Sequence, residues 1–96
     1  MTAIATQTIQ KTNFLTILQR VAQKDKTALK DCIDTYGNFV WALARKFTAS
    51  HGEAEEVTQE IFTDIWRYSE RIDKSHYAER VLIALIARRR LIKYLQ

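Results

Sequence analysis

The sequence predicts an all-α protein: one compact bundle of about four helices, three long and one short. Three observations carry that expectation. The 96 residues include no proline and only two glycines, Gly37 and Gly52, which argues against a loop-rich or all-β chain. Apolar residues recur at three- and four-residue steps through most of the chain, the period of an amphipathic helix. Helix-start residues, Asp25 and the Ser50/Glu53 capping box, stand ahead of the two longest periodic runs. A chain of this length supports one domain with a single modest core.

Residues 1–11 (MTAIATQTIQK) have no sustained period and read as a flexible lead-in, leaving 12–96 as the folded domain. Thr12 or Asn13 is the expected cap of a short helix over about 13–24, with Phe14, Ile17, Leu18, Val21 and Ala22 on its apolar face. Asp25 caps the next, expected over 26–48, where Leu29, Ile33, Tyr36, Val40, Leu43 and Phe47 form a stripe. Cys32 sits beside that stripe as a small buried apolar group. Gly37 costs about 1 kcal/mol of helix stability against alanine, so it is expected to mark a close helix approach or a slight bend. Phe39 and Trp41 leave the stripe, and one of them is expected to reach a second packing surface.

The third helix is expected over 51–69. Ala54, Val57, Ile61, Ile65 and Tyr68 fall on one side, flanked by Phe62, with Trp66 at the edge. The segment 71–77 (RIDKSHY) breaks the period, and Asp73 or Ser75 is the expected cap of a last helix over 76–95. There Ala78, Val81, Leu85, Ile92 and Leu95 form the expected core face. Arg88 falls within that apolar arc and reads as structural, needing an internal acceptor. Ile83 and Tyr94 lie opposite and are expected on the surface. The chain stops without a C-cap, glycine or proline, as a piece cut from a longer protein would.

Composition excludes several classes of function. The lone cysteine cannot form an internal disulfide, which suits a reducing cytoplasm. No apolar run approaches the roughly 20 residues of a membrane span, and no signal-peptide pattern opens the chain, so no membrane partner is expected. No nucleophile elbow, glycine-rich phosphate loop or HExxH is present. His51 and Glu55 have metal-compatible spacing, but two ligands do not make a site. The expectation is a non-enzymatic protein without metal or cofactor.

The charge is unevenly spread. Net charge is +4, yet residues 53–70 hold one base against six acids, while 1–52 hold seven bases against three and 71–96 seven against two. Basic ends around an acidic middle imply two partners of opposite demand, one of them polyanionic. On the third helix Glu53, Glu56, Glu60 and Asp64 share a side with Gln59 and Thr63. Carboxylates so spaced repel one another by a few tenths of a kcal/mol per pair, about what a favourable pair would contribute. The N-terminal helix dipole accounts for Glu53, Glu55 and Glu56, but not for Glu60 and Asp64 beyond the first turn. With no intrachain reason for them evident, spacing alone leaves two readings open, a solvated face or a surface that meets a partner.

The run AEEVTQEIFTDIW (54–66), followed by RID and a polar loop, resembles region 2 of the bacterial RNA polymerase sigma factors. The likeness is strongest to the extracytoplasmic-function subgroup, whose usual form is DAEDVVQEVFLRLW. The spacing of Ala28, Tyr36, Val40, Leu43, Ala44 and Phe47, Asp73 and Ser75 in the loop, and IAR at Ile86–Arg88 extend the resemblance without a gap from Asp25 to Leu95.

The resemblance implies a role in transcription initiation. The third helix would dock on the clamp helices of the polymerase β′ subunit through Glu56, Gln59, Glu60 and Thr63. The loop and last helix would open the minus-ten promoter element and hold an extruded base of the non-template strand. Those DNA contacts would come from Arg71, Asp73, Lys74, Ser75, His76, Tyr77, Arg80, Arg90 and Lys93. An anti-sigma factor is a further implied partner, and a second, helix-turn-helix domain is missing from this stretch.

Four positions depart from the family pattern. Glu79 stands where an aromatic is usual, Leu82 where tryptophan is, Arg89 where asparagine is frequent and Lys93 where aspartate is. Two other readings remain open from residues alone: a sigma-like helical module that binds a protein partner without reading DNA, and a generic basic helical DNA binder.

Overall fold

The computed structural model describes residues 16–72, 74 and 77–96. Among them are four α-helices and no strand: α1 Ile17–Ala22, α2 Lys26–Phe47, α3 His51–Tyr68 and α4 Glu79–Leu95, with a 3-10 turn at Ser69–Arg71 closing α3. The all-α expectation holds, and α2 and α3 lie within a residue of their expected bounds.

Local chemistry sets the helix starts. Thr16 caps α1 in a full capping box: its hydroxyl accepts from the Gln19 N–H, and the Gln19 side chain accepts from the Thr16 N–H. The expected caps Thr12 and Asn13 and the lead-in 1–11 lie outside the described residues. Helix α1 ends at Ala22, and Lys24 takes a left-handed conformation (φ 63°) that turns the chain into α2. The Asp25 carboxylate accepts from the Thr27 N–H, and Ser50 Oγ accepts from the Glu53 N–H, as the sequence predicts. Helix α4 starts later than expected, after Ala78, whose side chain makes no cap bond. The expected caps Asp73 and Ser75 are not among the described residues.

The core is one cluster joining all four helices. Helix α3 contributes the expected Ala54, Val57, Ile61 and Ile65, with Phe62 and Asp64 also buried. On α2 the fully buried stripe is Ala28, Cys32, Val40 and Ala44, whereas the expected Ile33 and Phe47 are exposed. Small side chains at three of these four positions let the neighbouring helices come close, and the larger Leu29, Tyr36 and Leu43 flank the contact half-buried. Cys32 is fully buried, and desolvation pushes its thiol up to about 12, so it packs as an apolar group. Gly37 is no close-approach point: a methyl added there would meet nothing within 4 Å. Both aromatics off the expected stripe find partners, Trp41 edge-on to His51 at 4.8 Å and Phe39 beneath the Arg80 guanidinium at 4.4 Å.

Helix α4 is rotated from its expected orientation. Leu82, Ile83, Ile86, Ala87 and Leu91 face the core, while the expected face of Val81, Leu85, Ile92 and Leu95 is exposed. Ile83, expected outside, is fully buried, and the half-buried Tyr94 donates from its hydroxyl to Glu53. Apolar residues occupy nearly every side of this helix, so periodicity leaves its phase open, and packing against α2 and α3 decides it.

No helix among the described residues is long and apolar enough to cross a membrane.

Candidate functional site

Two surfaces of different chemistry, one of mixed charge and one basic, meet along the α3–α4 contact. The first is a shallow open depression on α3 whose wall includes Glu56, Gln59, Glu60 and Thr63, joined by Arg67 and Arg90. All four residues expected to meet the polymerase are therefore adjacent. Glu56, Gln59 and Thr63 are exposed and Glu60 is half-buried. The Thr63 hydroxyl donates back to the Gln59 carbonyl at 3.0 Å.

The premise that Glu60 and Asp64 lack an intrachain partner is overturned. Arg90 grips Asp64 in a two-pronged pair, with Nε to Oδ2 and Nη2 to Oδ1 both at 2.7 Å. Its Nη1 reaches Glu60 Oε2 at 3.1 Å. The Asp64 side chain is only 8% exposed and that of Arg90 25%, so this is a largely buried ion pair built with fork geometry. The bonds to Asp64 raise the guanidinium pKa, against desolvation. Arg90, expected among the DNA contacts, thus has its guanidinium turned to carboxylates of α3. Arg88, expected to be the structural arginine, is exposed. The correction follows from the rotation of α4, which brings position 90 to the α3 interface and carries position 88 outward.

The second surface is basic. A cavity of about 200 Å³ opens between Tyr68, Arg71 and Ile72 on one side and Ile86, Arg89 and Lys93 on the other, with the Asp64–Arg90 pair at its back. Three guanidinium groups surround the Tyr68 ring, those of Arg67, Arg71 and Arg89, each 5.7–5.9 Å from its centroid. Of the residues expected at DNA, Arg71, Arg90 and Lys93 share this cavity. Arg80 lies apart over Phe39, and Tyr77, 58% exposed, stands with Lys74 beside the start of α4. The Lys74 ammonium donates to the Ile72 carbonyl at 2.9 Å. Asp73, Ser75 and His76 lie outside the described residues.

Sequence reasoning missed three contributors. The helical period places Tyr68 only in the core stripe, and Arg89 stands out only as a departure from the family pattern, yet both line the basic cavity. Glu79 is the third. Its Oε2 accepts from the Leu18 N–H at 2.8 Å, and its Oε1 accepts from the Tyr36 hydroxyl at 2.7 Å. It thereby caps the N-terminus of α1 from 61 residues away and ties α1, α2 and α4 together beside the loop. Burial and that bond push the Tyr36 phenol pKa well up. No local signal announces such a contact.

A comparable bond fixes the far end of α4. Tyr94 donates to Glu53 on α3, which pulls the Glu53 carboxylate below its usual pKa, against desolvation, and pushes the Tyr94 phenol up to about 12. Arg90 and Tyr94, one turn apart on α4, hold the helix that carries the basic residues to the helix that carries the acidic ones.

The family model Sigma-70 region 2 matches residues 32–96. Among curated proteins, the ECF RNA polymerase sigma factor SigK of Mycobacterium tuberculosis (strain ATCC 25618 / H37Rv) is 29% identical over 76 residues, covering 79% of this chain and 41% of the relative. SigK of Mycobacterium bovis (strain BCG / Pasteur 1173P2) matches with the same figures. The chain therefore spans about two fifths of the length of the curated relatives it matches. No solved structure gives a significant match. With the family model covering well over half of its length, the chain belongs to the Sigma-70 region 2 family.

Proposed function

We propose that this chain is the promoter-opening part of an extracytoplasmic-function sigma factor, a non-enzymatic initiation factor that works with RNA polymerase in the cytoplasm. The depression at Glu56, Gln59, Glu60 and Thr63 docks on the β′ clamp helices. The basic cavity and the loop before α4 hold the non-template strand of the minus-ten element. No cofactor takes part. An anti-sigma factor would act by covering either surface.

One observation supports this reading above the rest: Arg90 lines both the depression on α3 and the basic cavity. The two surfaces therefore adjoin on the α3–α4 pair, close enough for one part of the chain to hold polymerase beside the strand it binds. The acidic side suits steering and orientation against basic helices. On the basic side Arg71, Arg89 and Lys93 supply phosphate or base-edge contacts. Tyr77 is exposed enough to stack on an extruded base, a contact of about 1–3 kcal/mol.

The test for polymerase binding uses Glu56→Lys, because Glu60→Lys would also set a cation against Arg90 and disturb the fold. Glu56→Lys should weaken capture by core polymerase at an unchanged melting temperature. Equal capture of parent and variant would remove the docking assignment. For DNA, binding of single-stranded minus-ten and scrambled oligonucleotides with core polymerase should differ for the parent. Tyr77→Ala should reduce that difference, and Lys93→Ala should weaken both and flatten the salt dependence.

The protein-module reading keeps one observation in its favour. Val81, Leu85, Ile92 and Leu95 form an exposed apolar row on α4, better matched to protein than to nucleic acid. Polymerase capture without any distinction between the oligonucleotides would favour it.

A further inference from the structure

Helix α4 begins without a local cap. The Ala78 side chain makes no cap bond, so no group at the cap position fixes where the helix starts. Contacts from other helices do so instead. Both carboxylate oxygens of Glu79, the first residue of α4, are engaged. Oε2 accepts from the Leu18 N–H of α1 at 2.8 Å, and Oε1 accepts from the Tyr36 hydroxyl of α2 at 2.7 Å. The next residue, Arg80, sets its guanidinium 4.4 Å from the centroid of the Phe39 ring, also on α2. Tyr77 shares a narrow crevice of about 20 Å³ with Glu79, with Thr16 and Leu18 at the start of α1, and with Lys74 and Leu82.

Tyr77 and Lys74 therefore border the start of α1, and Glu79 ties that border to the helix that follows them. Tyr77 is still 58% exposed, so the crevice supports it from one side and leaves most of it uncovered. We propose that Glu79 is a positioning residue for the minus-ten contact: by binding Leu18 and Tyr36 together it fixes the start of α4, and so holds Tyr77 where it meets an extruded base. This rests on the reading of Tyr77 as the stacking residue above. It adds a part for α1, which carries no residue assigned to either surface. A ring gains from a base only in stacking geometry, and one ordered beforehand gives up less freedom on binding. Glu79 itself touches no DNA and acts through Tyr77. It stands at one of the positions where the sequence departs from the family pattern, so the tie belongs to this chain in particular.

The test is a double-mutant cycle on affinity for a single-stranded minus-ten oligonucleotide with core polymerase, with a scrambled oligonucleotide as reference. All measurements share one salt concentration and lie well below every variant's melting temperature. Glu79→Ala should weaken minus-ten binding about fivefold or more, the lower end of what one stacked base contributes. In a Tyr77→Ala background it should weaken binding no further, because a residue that acts through Tyr77 then has nothing to position. Glu79→Gln should stay within about twofold of the parent, since an amide can accept from Leu18 and donate to the Tyr36 oxygen. Tyr36→Phe removes one of the two bonds and stands in if Glu79→Ala does not fold; it should weaken the parent and leave Tyr77→Ala unchanged. Tyr94→Phe loses its bond to Glu53 at the other end of α4, so it should lower the melting temperature and leave minus-ten binding as it was. Losses that multiply in the double variant, or an equal loss in Tyr94→Phe, would overturn the proposal, since either marks general destabilisation. If Tyr77→Ala weakens minus-ten binding and Glu79→Ala does not, the positioning role fails and the stacking reading survives. If the parent does not distinguish the oligonucleotides, or Tyr77→Ala binds as the parent does, both fail together.

Discussion

Removing the Arg90 guanidinium tests most directly how this domain is held together. Arg90→Ala deletes three hydrogen bonds, two to Asp64 at 2.7 Å and one to Glu60 at 3.1 Å. It leaves Asp64, whose side chain is 8% exposed, as an unpaired carboxylate between α3 and α4. Breaking a fully buried pair from one side costs about 3–5 kcal/mol. The Arg90 side chain is 25% exposed and that of Glu60 38%, so solvent screens part of the loss. A net destabilisation of about 2 kcal/mol follows from that discount, since exposed pairs contribute 1 kcal/mol or less. For a domain of this size that lowers the melting temperature by about 10 °C. Thermal and urea unfolding followed by helical circular dichroism would measure it. A further signature separates an orphaned charge from simple loss of packing. Asp64→Asn in the Arg90→Ala background should recover part of the stability, because it removes the buried charge. A melting temperature within about 2 °C of the parent would refute the reasoning, given the scale above. Unchanged stability with reduced DNA affinity would return Arg90 to the nucleic-acid contacts.

The remaining predictions concern the other long-range contacts and Gly37. Glu79→Ala orphans the Leu18 N–H and the Tyr36 hydroxyl and should cost about 1–2 kcal/mol in urea unfolding, the usual penalty for an unsatisfied polar group. The Glu53 carboxylate has a folded-state pKa below its ordinary 4.5, chiefly through the Tyr94 hydroxyl. Its contribution to stability is therefore present above that ordinary value and lost as pH falls through the lower folded value. Melting temperatures of the parent and Glu53→Gln should thus converge as pH is lowered from 7 to about 3, over the carboxylate range. Gly37→Ala should raise stability by about 1 kcal/mol or slightly less, measured by the same urea titration, because the added methyl meets no neighbour and lowers the helix cost.

How much could be read before the chain was folded divides along a physical line. Interactions within about four residues are written locally: the Ser50 and Asp25 caps, the extents of α2 and α3, and the side of α3 that carries Glu56, Gln59, Glu60 and Thr63. The family motif lies in the same helix, so the sequence by itself determined the all-α class, the family resemblance and one of the two surfaces. The orientation of α4 was not written there. VLIALIARRRLIKYL is apolar on nearly every side, so its period carries no strong phase. Which side turned inward depended on the shapes offered by α2 and α3. That rotation exchanged the roles of Arg88 and Arg90 and buried Ile83. It also gave Glu60 and Asp64 a partner 30 and 26 residues away. The Glu79 link to α1 and the open space at Gly37 have the same origin. Both depend on distances between helices, which tertiary packing alone decides, because hydrogen bonds and voids between elements are set by where their backbones come to rest.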